Sequence, residues 1–258
     1  MELIKMNKEK DPVMERMKKL YELRQRHYLT RRTPVIIRCD FKAAHTYCKP
    51  LKNRFHEGFI KVMNLTAIKL AEEIQGCQIA YIESDEISLL LHDYKRLTSD
   101  AWFDYCQNKV ESISAAIASA TFSLNSWHIW KDFSDSYQKP AYFDSRSFNL
   151  PESEVCNYFY ARQRDAVKNS INSLAQSLYT HSQLQGKNSS QLQEMCFQAG
   201  VNWNDLPTYK KRGRCVVKQT YTNEEGAIRS HWVVDNEIPE FNQDRNYIEK
   251  YLATEDDN

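Results

Sequence analysis

The stretch GCQIAYIESDEISLLLHDY, residues 76–94, constrains the fold of this chain more than any other. Two short runs, Cys77 to Ile82 and Ile87 to Leu91, alternate or saturate with β-branched and apolar residues, the pattern of two paired strands. Between them stand Glu83, Ser84, Asp85 and Glu86, so the turn of this hairpin is expected to gather three carboxylates.

The flanking segments supply the rest of a fold. RTPVIIRCD reads as a strand opened by Pro34, with Arg38 and Asp40 on one face and a carboxylate at its end. After a loop at 41–56, EGFIKVMNLTAIKLAEEIQG carries an apolar stripe through Phe59, Val62, Met63, Leu70 and Ile74 and stops at Gly76. TSDAWFDYCQNKVESISAAIASATFSL predicts a second helix capped by its Ser and Asp, and AYFDSRSFNLP, residues 141–151, a fourth strand. Residues 34–150 thus run strand, helix, strand, strand, helix, strand. The fold class is α+β, a ferredoxin-like (βαββαβ) arrangement with two helices on one face of an antiparallel sheet. In that topology the end of the first strand lies beside the hairpin turn, so Asp40 and Asp85 are expected to meet at one sheet edge.

Outside this core, residues 11–28 predict an amphipathic helix packed on the domain, and SEVCNYFYARQRDAVKNSINSLAQSLY, residues 153–179, a long helix with Val155, Phe159, Val167, Ile171, Leu174 and Leu178 as its stripe. On a neighbouring face of that helix Arg162, Asp165 and Asn169 align at i, i+3 and i+7. A short helix and a hairpin turning at Glu-Glu-Gly follow, and the tail at 253–258 reads as disordered. The chain reads as a single domain over 1–258, with its core at about 32–150 and a helical and hairpin portion at about 151–240.

Seven cysteines lie singly with no Cys-x-x-Cys pair, as suits reduced thiols. The N-terminal segment is charged throughout, without the apolar core of a signal peptide, and no run reaches membrane-spanning length. The chain is expected to be cytoplasmic and to have no membrane partner. Net charge is +1, so any polyanion must be met by a local patch. A Walker loop, a Gly-rich dinucleotide turn and a clustered His/Cys zinc signature are all missing from the sequence.

Carboxylates converging at a sheet edge repel one another unless a cation sits between them. Hard oxygen donors point to magnesium, which takes its remaining ligands from water and substrate phosphates. Such an edge is the platform of two-metal phosphoryl or nucleotidyl transfer, although acids in a turn are also ordinary solvated residues. Lys49, Lys52, Arg54, Lys109, Arg162 and Lys187 are candidates to hold a triphosphate, and His45 lies near enough to touch a nucleotide. YKKRGR, residues 209–214, with Trp203, Tyr221, Arg229, His231 and Trp232, mixes cation and aromatic as an RNA-binding surface does, or forms an exposed basic hairpin.

With these residues assembled, the chain resembles the tRNA-His guanylyltransferase family, and within it the guanylyltransferase-like proteins that repair tRNA 5′ ends. The resemblance runs from about Arg32 to about Asp235 and rests on VIIRCDFKAAH, AYIESDEISLLL, FDSRSFNLP, NYFYARQRDAVKNSI, LQGK and VNWNDLPTYKKRG. It implies a polymerase-type palm run in reverse, adding nucleotides to the 5′ end of tRNA with two Mg2+ ions. ATP and GTP or other nucleoside triphosphates are the implied substrates, and tRNA and a homotetramer the implied partners. Asp40 and Asp85 match the metal-binding aspartates and Glu86 an adjacent essential acid, with the nucleotide against residues 40–45 and 84–85. The family's Gly-Arg-x-Phe-His after the first aspartate is here Phe41, Lys42, Ala43, Ala44, His45. Phe41 keeps a backbone carbonyl able to ligate metal, and its side chain is expected to crowd the nucleotide. Val167 replaces the histidine of the eukaryotic His-Ile-Asn-Asn motif, which sides with the repair proteins. Arg162, Lys187 and Lys211 fall on positions implicated in triphosphate or tRNA handling, and Asn169 keeps a polar role. The expected activity is template-dependent 5′-end repair. The alternatives are addition of a single 5′ G to tRNA-His, a nucleotide cyclase on the same palm, and a non-catalytic RNA-binding module.

Overall fold

Val35, Ile37, Cys39 and Phe41 are buried on one side of the first strand, and Ile36 on the other, so Arg38 and Asp40 follow Ile36 onto its face. That alternation is the period-2 geometry of a strand with cores on both sides. The computed structural model describes residues 11–51, 55–131 and 139–253. Its strands are β1 (Val35–Phe41), β2 (Cys77–Glu83), β3 (Glu86–Leu91), β4 (Phe143–Asn149), β5 (Arg214–Thr222) and β6 (Ile228–Asp235). They form one sheet in the order β4-β1-β3-β2-β5-β6, each neighbouring pair antiparallel. The first four strands have the ferredoxin-like order expected from the sequence, and the β5–β6 hairpin extends the sheet beyond β2.

The helices are α1 (Pro12–Met17), α2 (Ala44–Tyr47), α3 (Glu57–Glu73), α4 (Gln107–Asn125), α5 (Trp127–Trp130), α6 (Glu152–Leu178), α7 (His181–Leu184), α8 (Ser189–Gln198), α9 (Thr208–Arg212) and α10 (Asn246–Glu249). α3 and α4 pack on one sheet face through Val62, Met63, Leu70, Val110 and Phe122. α6 covers the other with Val155, Cys156 and Phe159, joined by Ile238, Phe241 and Ile248. Farther along α6, Ile171, Leu174 and Ala175 make a smaller core with Leu192 and Cys196 of α8. All seven cysteines are free thiols. Among the described residues no helix is long and apolar enough to cross a membrane.

Three expectations change. The N-terminal helix forms, continuing from α1 as further helical turns to Gln25, yet it buries no side chain, and Val13, Met14, Leu20 and Tyr21 stay exposed. α3, α4 and α6 already cover the sheet, which leaves it no apolar face to pack on. The second core helix starts at Gln107, not at its expected caps. Trp102–Tyr105 forms a separate tight turn, and φ is positive at Phe103, Asp104 and Tyr105, which no α-helix accommodates. The YKKRGR run does not form an exposed basic hairpin: Tyr209–Arg212 lies in α9 and Arg214 opens β5, buried. Gly213 between them has φ +82°, and a Cβ there would stand 2.5 Å from the Ile82 carbonyl oxygen, so the chain crosses β2 at a distance only glycine permits. The tail reading falls on residues 254–258, outside the described ones.

Candidate active site

β1 ends and the β2–β3 hairpin turns at the same edge of the sheet. Asp40 is the ladder partner of Glu86 on β3 and of Asp144 on β4. Glu83 and Glu86 close the hairpin as a registered pair, leaving Ser84 and Asp85 as its two-residue turn. The Phe41 N–H donates to the Asp85 carbonyl at 3.1 Å, which ties the turn to β1 and brings Asp85 to Asp40 as the topology predicts. Burial, then repulsion from Asp85 and Asp144, pushes the Asp40 carboxyl above its usual range, against the pull of Arg38 and Arg146.

A cleft of about 400 Å³ opens from this edge. One wall is the turn after β1, with Ala44, His45 and Cys48, and its floor includes Leu51 and Phe59. The other wall is the polar face of α6, with Asn169, Asn172, Ser173 and Gln176, and Ser84 and Asp85 close it at the carboxylate edge. A narrower recess of about 60 Å³ shares Phe59, Ser84, Asn169 and Ser173 and adds Tyr209, Lys210 and Arg214. Arg214 is 3 % exposed and donates to the Asn64 side chain and to the Ile60 carbonyl, and burial lowers its guanidinium to about 10.

Several sequence candidates meet here: Asp40, Ala44, His45, Ser84, Asp85 and Asn169. Lys42 and Ala43 line a different pocket, of about 220 Å³, on the far side of α2 with Thr46, Trp130 and Lys139. The Phe41 side chain lines neither the cleft nor the recess, against the expectation that it would crowd that space. As an odd member of β1 its ring points into the core under α3 and α4, with centroids 4.9 Å from Phe122 and Phe143 and 5.0 Å from Tyr47. It meets the carboxylate edge through its backbone alone.

Glu86 and Arg162 have a setting the sequence did not reveal. Arg162 donates from Nε and Nη2 to the two Glu86 oxygens at 2.8 and 2.9 Å, from Nη2 to Glu83 Oε1 at 2.5 Å, and from Nη1 to Asp165 at 2.9 Å. Glu83 is 3 % exposed, and burial, opposed by Arg162, pushes its carboxyl up to about 8. Arg162 is therefore engaged by protein acids and not turned toward a triphosphate. Lys109 is contradicted as a contact within this cleft: α4 runs from the Ser147 end of β4, where Gln107 and Glu111 bond it, to Ala141, where Ser123 does. Lys109 thus stands about 15 Å along the helix from Ser119, which accepts from the Phe143 N–H at the carboxylate edge, and lies over the Phe103 ring. Lys187 sits between α7 and α8 and lines neither recess at the carboxylate edge. Lys211 donates to the Asn204 carbonyl at 2.6 Å, over the Trp203 ring. Lys52 and Arg54 lie outside the described residues.

Sequence reasoning missed Asn172, Ser173 and Gln176, which continue the Asn169 stripe at helical spacing and were findable by extending it. Arg214 carried no signal beyond membership of a basic run. Among the described residues no three His, Cys, Asp or Glu side chains are arranged to hold a metal by themselves. Two carboxylates at a half-open edge, one of them raised by burial and then by the other's charge, do fit a hard cation that completes its shell with water and substrate oxygens.

Residues 14–151 match the family described as tRNAHis guanylyltransferase. A solved bacterial tRNA(His) guanylyltransferase-like protein in complex with ATP superposes with a TM-score of 0.85 at 38% identity, over 93% of this chain and 99% of that one. Another, in complex with GTP, gives 0.77 at 36% identity, over 94% and 99%. A probable tRNA(His) guanylyltransferase of Dictyostelium discoideum is 26% identical over 219 residues, 75% of this chain and 79% of the relative.

Proposed function

The chain belongs to the tRNA-His guanylyltransferase family, and from that premise we propose that it is a magnesium-dependent 3′-to-5′ nucleotidyltransferase that adds nucleotides to tRNA 5′ ends, in the service of template-dependent repair. The observation that carries the reading is the meeting of Asp40 and Asp85 at the mouth of a cleft large enough for a nucleoside. Nucleoside triphosphates are the expected occupants, as the ATP and GTP complexes of the two bacterial relatives support.

Asp40 and Asp85 would hold the magnesium ions, with the Phe41 backbone at the same edge. When bound, the ions supply charge for the attacking 3′-hydroxyl and for the departing pyrophosphate or AMP. The protein's own part is positioning. Ser84 and Asn169 stand where the cleft meets the narrower recess, and Lys210 and Arg214 give that recess a positive lining suited to phosphate. Lys210 is partly neutralised by Glu57 at 2.5 Å, whereas the groups bonded to Arg214 are neutral.

Asn169, Asn172 and Gln176 favour repair over a fixed guanine. A side-chain amide both donates and accepts, so a wall of amides can meet more than one base edge. Ala44, at the family's phenylalanine position, leaves that side of the cleft open. For the tRNA itself, Lys211 over Trp203 and Lys218 over Trp232, at 5.8 and 5.5 Å, offer paired cation and aromatic surfaces. β5 runs away from the metal edge, so its hairpin would touch a part of the tRNA remote from the 5′ end. A homotetramer in the cytoplasm, one tRNA spanning several copies, fits both that separation and the uncovered apolar side of α1.

The test is to incubate the protein with Mg2+, the four nucleoside triphosphates, tRNAs lacking a 5′ nucleotide and intact tRNA-His, resolving products at single-nucleotide length. Templated extension of truncated tRNAs, lost in Asp85→Ala, is the expected result. A single G on tRNA-His alone would favour the guanylyltransferase, and no product despite tRNA binding would favour a non-catalytic RNA module.

A further inference from the structure

We propose that Arg162 is a positioning residue: with Glu83 and Glu86 it forms a strut from α6 to the β2–β3 turn that holds Asp85 toward Asp40. The inference rests on the metal reading above and deepens it. Glu83 and Glu86 are direct cross-strand partners, 3 % and 8 % exposed, on the face that α6 covers. Two acids opposed across a ladder work against the pairing, and buried acids without a counter-charge are costlier still. Arg162 answers both at once. It grips Glu86 with two parallel bonds and Glu83 with a third, and a fourth to Asp165, one helical turn on, braces it along α6.

The turn has reason to need outside support. Ser84 has φ +46°, a left-handed conformation that a residue with a side chain adopts at a cost, and neither turn position is glycine. Two anchors fix it. One is the Phe41 N–H on the Asp85 carbonyl, and the other is the arginine clamp on the residues before and after the turn. Because Asn169 and Ser173 belong to the same helix as Arg162, the strut also sets the spacing between the metal edge and the cleft's polar wall.

Four of the five guanidinium N–H groups are thereby committed, and both Glu86 oxygens accept. The strut therefore assigns these two residues a different task from the triphosphate contact and essential acid implied by the family resemblance. Their loss should be felt through the metal and not through tRNA.

The experiment measures Mn2+, as a spectroscopic stand-in for Mg2+, by the loss of its free-ion electron paramagnetic resonance signal, with a non-hydrolysable GTP analogue present. Wild type, Asp85→Ala, Arg162→Gln, and the triple variant Arg162→Gln/Glu83→Gln/Glu86→Gln are compared, with tRNA affinity measured in parallel by filter binding. Arg162→Gln is expected to weaken Mn2+ binding by about 10–100-fold, the range for removing a residue that orients a metal ligand, with tRNA affinity unchanged. In the triple variant the opposed acids are neutralised along with the guanidinium that bridges them, while Arg38, 3.7 Å from Glu86, stays in place, and Mn2+ binding should return to within about threefold of wild type. Should Arg162→Gln not fold, Arg162→Lys takes its place, keeping the charge without the fork, and the same loss of Mn2+ binding is expected of it. Unchanged Mn2+ binding, or weakened tRNA binding that the triple variant does not restore, overturns the strut. Wild type binding Mn2+ no better than Asp85→Ala overturns the metal reading itself, and is distinguished by that control.

Discussion

Replacing Phe41 by glycine, the residue the family carries there, should unfold the protein more readily and leave the nucleotide site alone. The ring is 4 % exposed and touches Tyr47, Phe59, Phe122 and Phe143. Truncating a buried phenylalanine costs about 3–5 kcal/mol, and a glycine inside a strand adds about 0.5–1 kcal/mol. The loss, about 4–6 kcal/mol, is a large part of the 5–15 kcal/mol by which domains are typically stable, roughly. At about 2 °C per kcal/mol for a chain of this size, Tm should fall by about 8–12 °C. Thermal unfolding followed by circular dichroism, with nucleotide binding measured well below the transition, reads both quantities. Phe41→Leu keeps most of the volume and should cost less than about 1.5 kcal/mol. A Phe41→Gly protein that melts within about 2 °C of wild type while its nucleotide affinity changes would place the ring in the site and refute the argument.

Asp85→Asn and Asp40→Asn should each lower the rate of nucleotide addition by more than about a hundredfold, beyond what removing a supporting residue costs at a metal site, and a smaller loss in single-turnover assays would count against the two-metal edge. Asn169→Ala removes one polar group from the cleft and should raise the nucleotide KM by about 2–10-fold, with tRNA affinity held; the reverse ranking would move Asn169 to the RNA surface. Glu83 is pushed up to about 8, so folding favours its protonated form. Its contribution is fully present below its ordinary value near 4.5 and is lost as pH rises toward 8. The Tm of wild type relative to Glu83→Gln should therefore fall between pH 5 and pH 8 and level off above, and a pH-independent difference would contradict the burial argument. Lys211→Ala should weaken tRNA binding more than nucleotide binding, as titrations with each would read.

The core of the fold was legible because strands with one apolar face must alternate and because the βαββαβ order leaves few topologies. Those two facts alone place Asp40 and Asp85, 45 positions apart, at one sheet edge. What escaped was governed by contacts that spacing cannot express. Trp102, Phe103 and Cys106 repeat as a helix does, yet Trp102 and Tyr105 reach the core from a tight turn with positive φ. Lys210, Lys211, Arg212 and Arg214 look alike in sequence, but one end of β5 passes under α3 and takes Arg214 inside while its neighbours pair with Glu57, Asn204 and Glu240. In the sequence the acids of the turn look like one group, with Asp85 a ligand and Glu86 an essential acid beside it. Strand alternation in fact sends Glu83 and Glu86 to α6, leaving Ser84 and Asp85 to face the cleft.

The β5–β6 hairpin has a mechanical consequence. Only Arg214 to Val217 of β5 pair with β2, and beyond them Lys218–Thr222 and Ile228–Trp232 form ladder bonds with each other alone, Trp232 at the base packing on the core. That leaves a two-stranded arm about 17 Å long clamped at one end, and a lone ribbon in water is marginally stable. Amide exchange along it should quicken step by step from Val217 outward, while the amides of β1 and β3 stay closed. The arm can fray, bend and re-form many times in the life of one folded molecule without loosening the edge where Asp40 and Asp85 sit, so this protein can feel for a large, irregular partner with one end while keeping the other rigid.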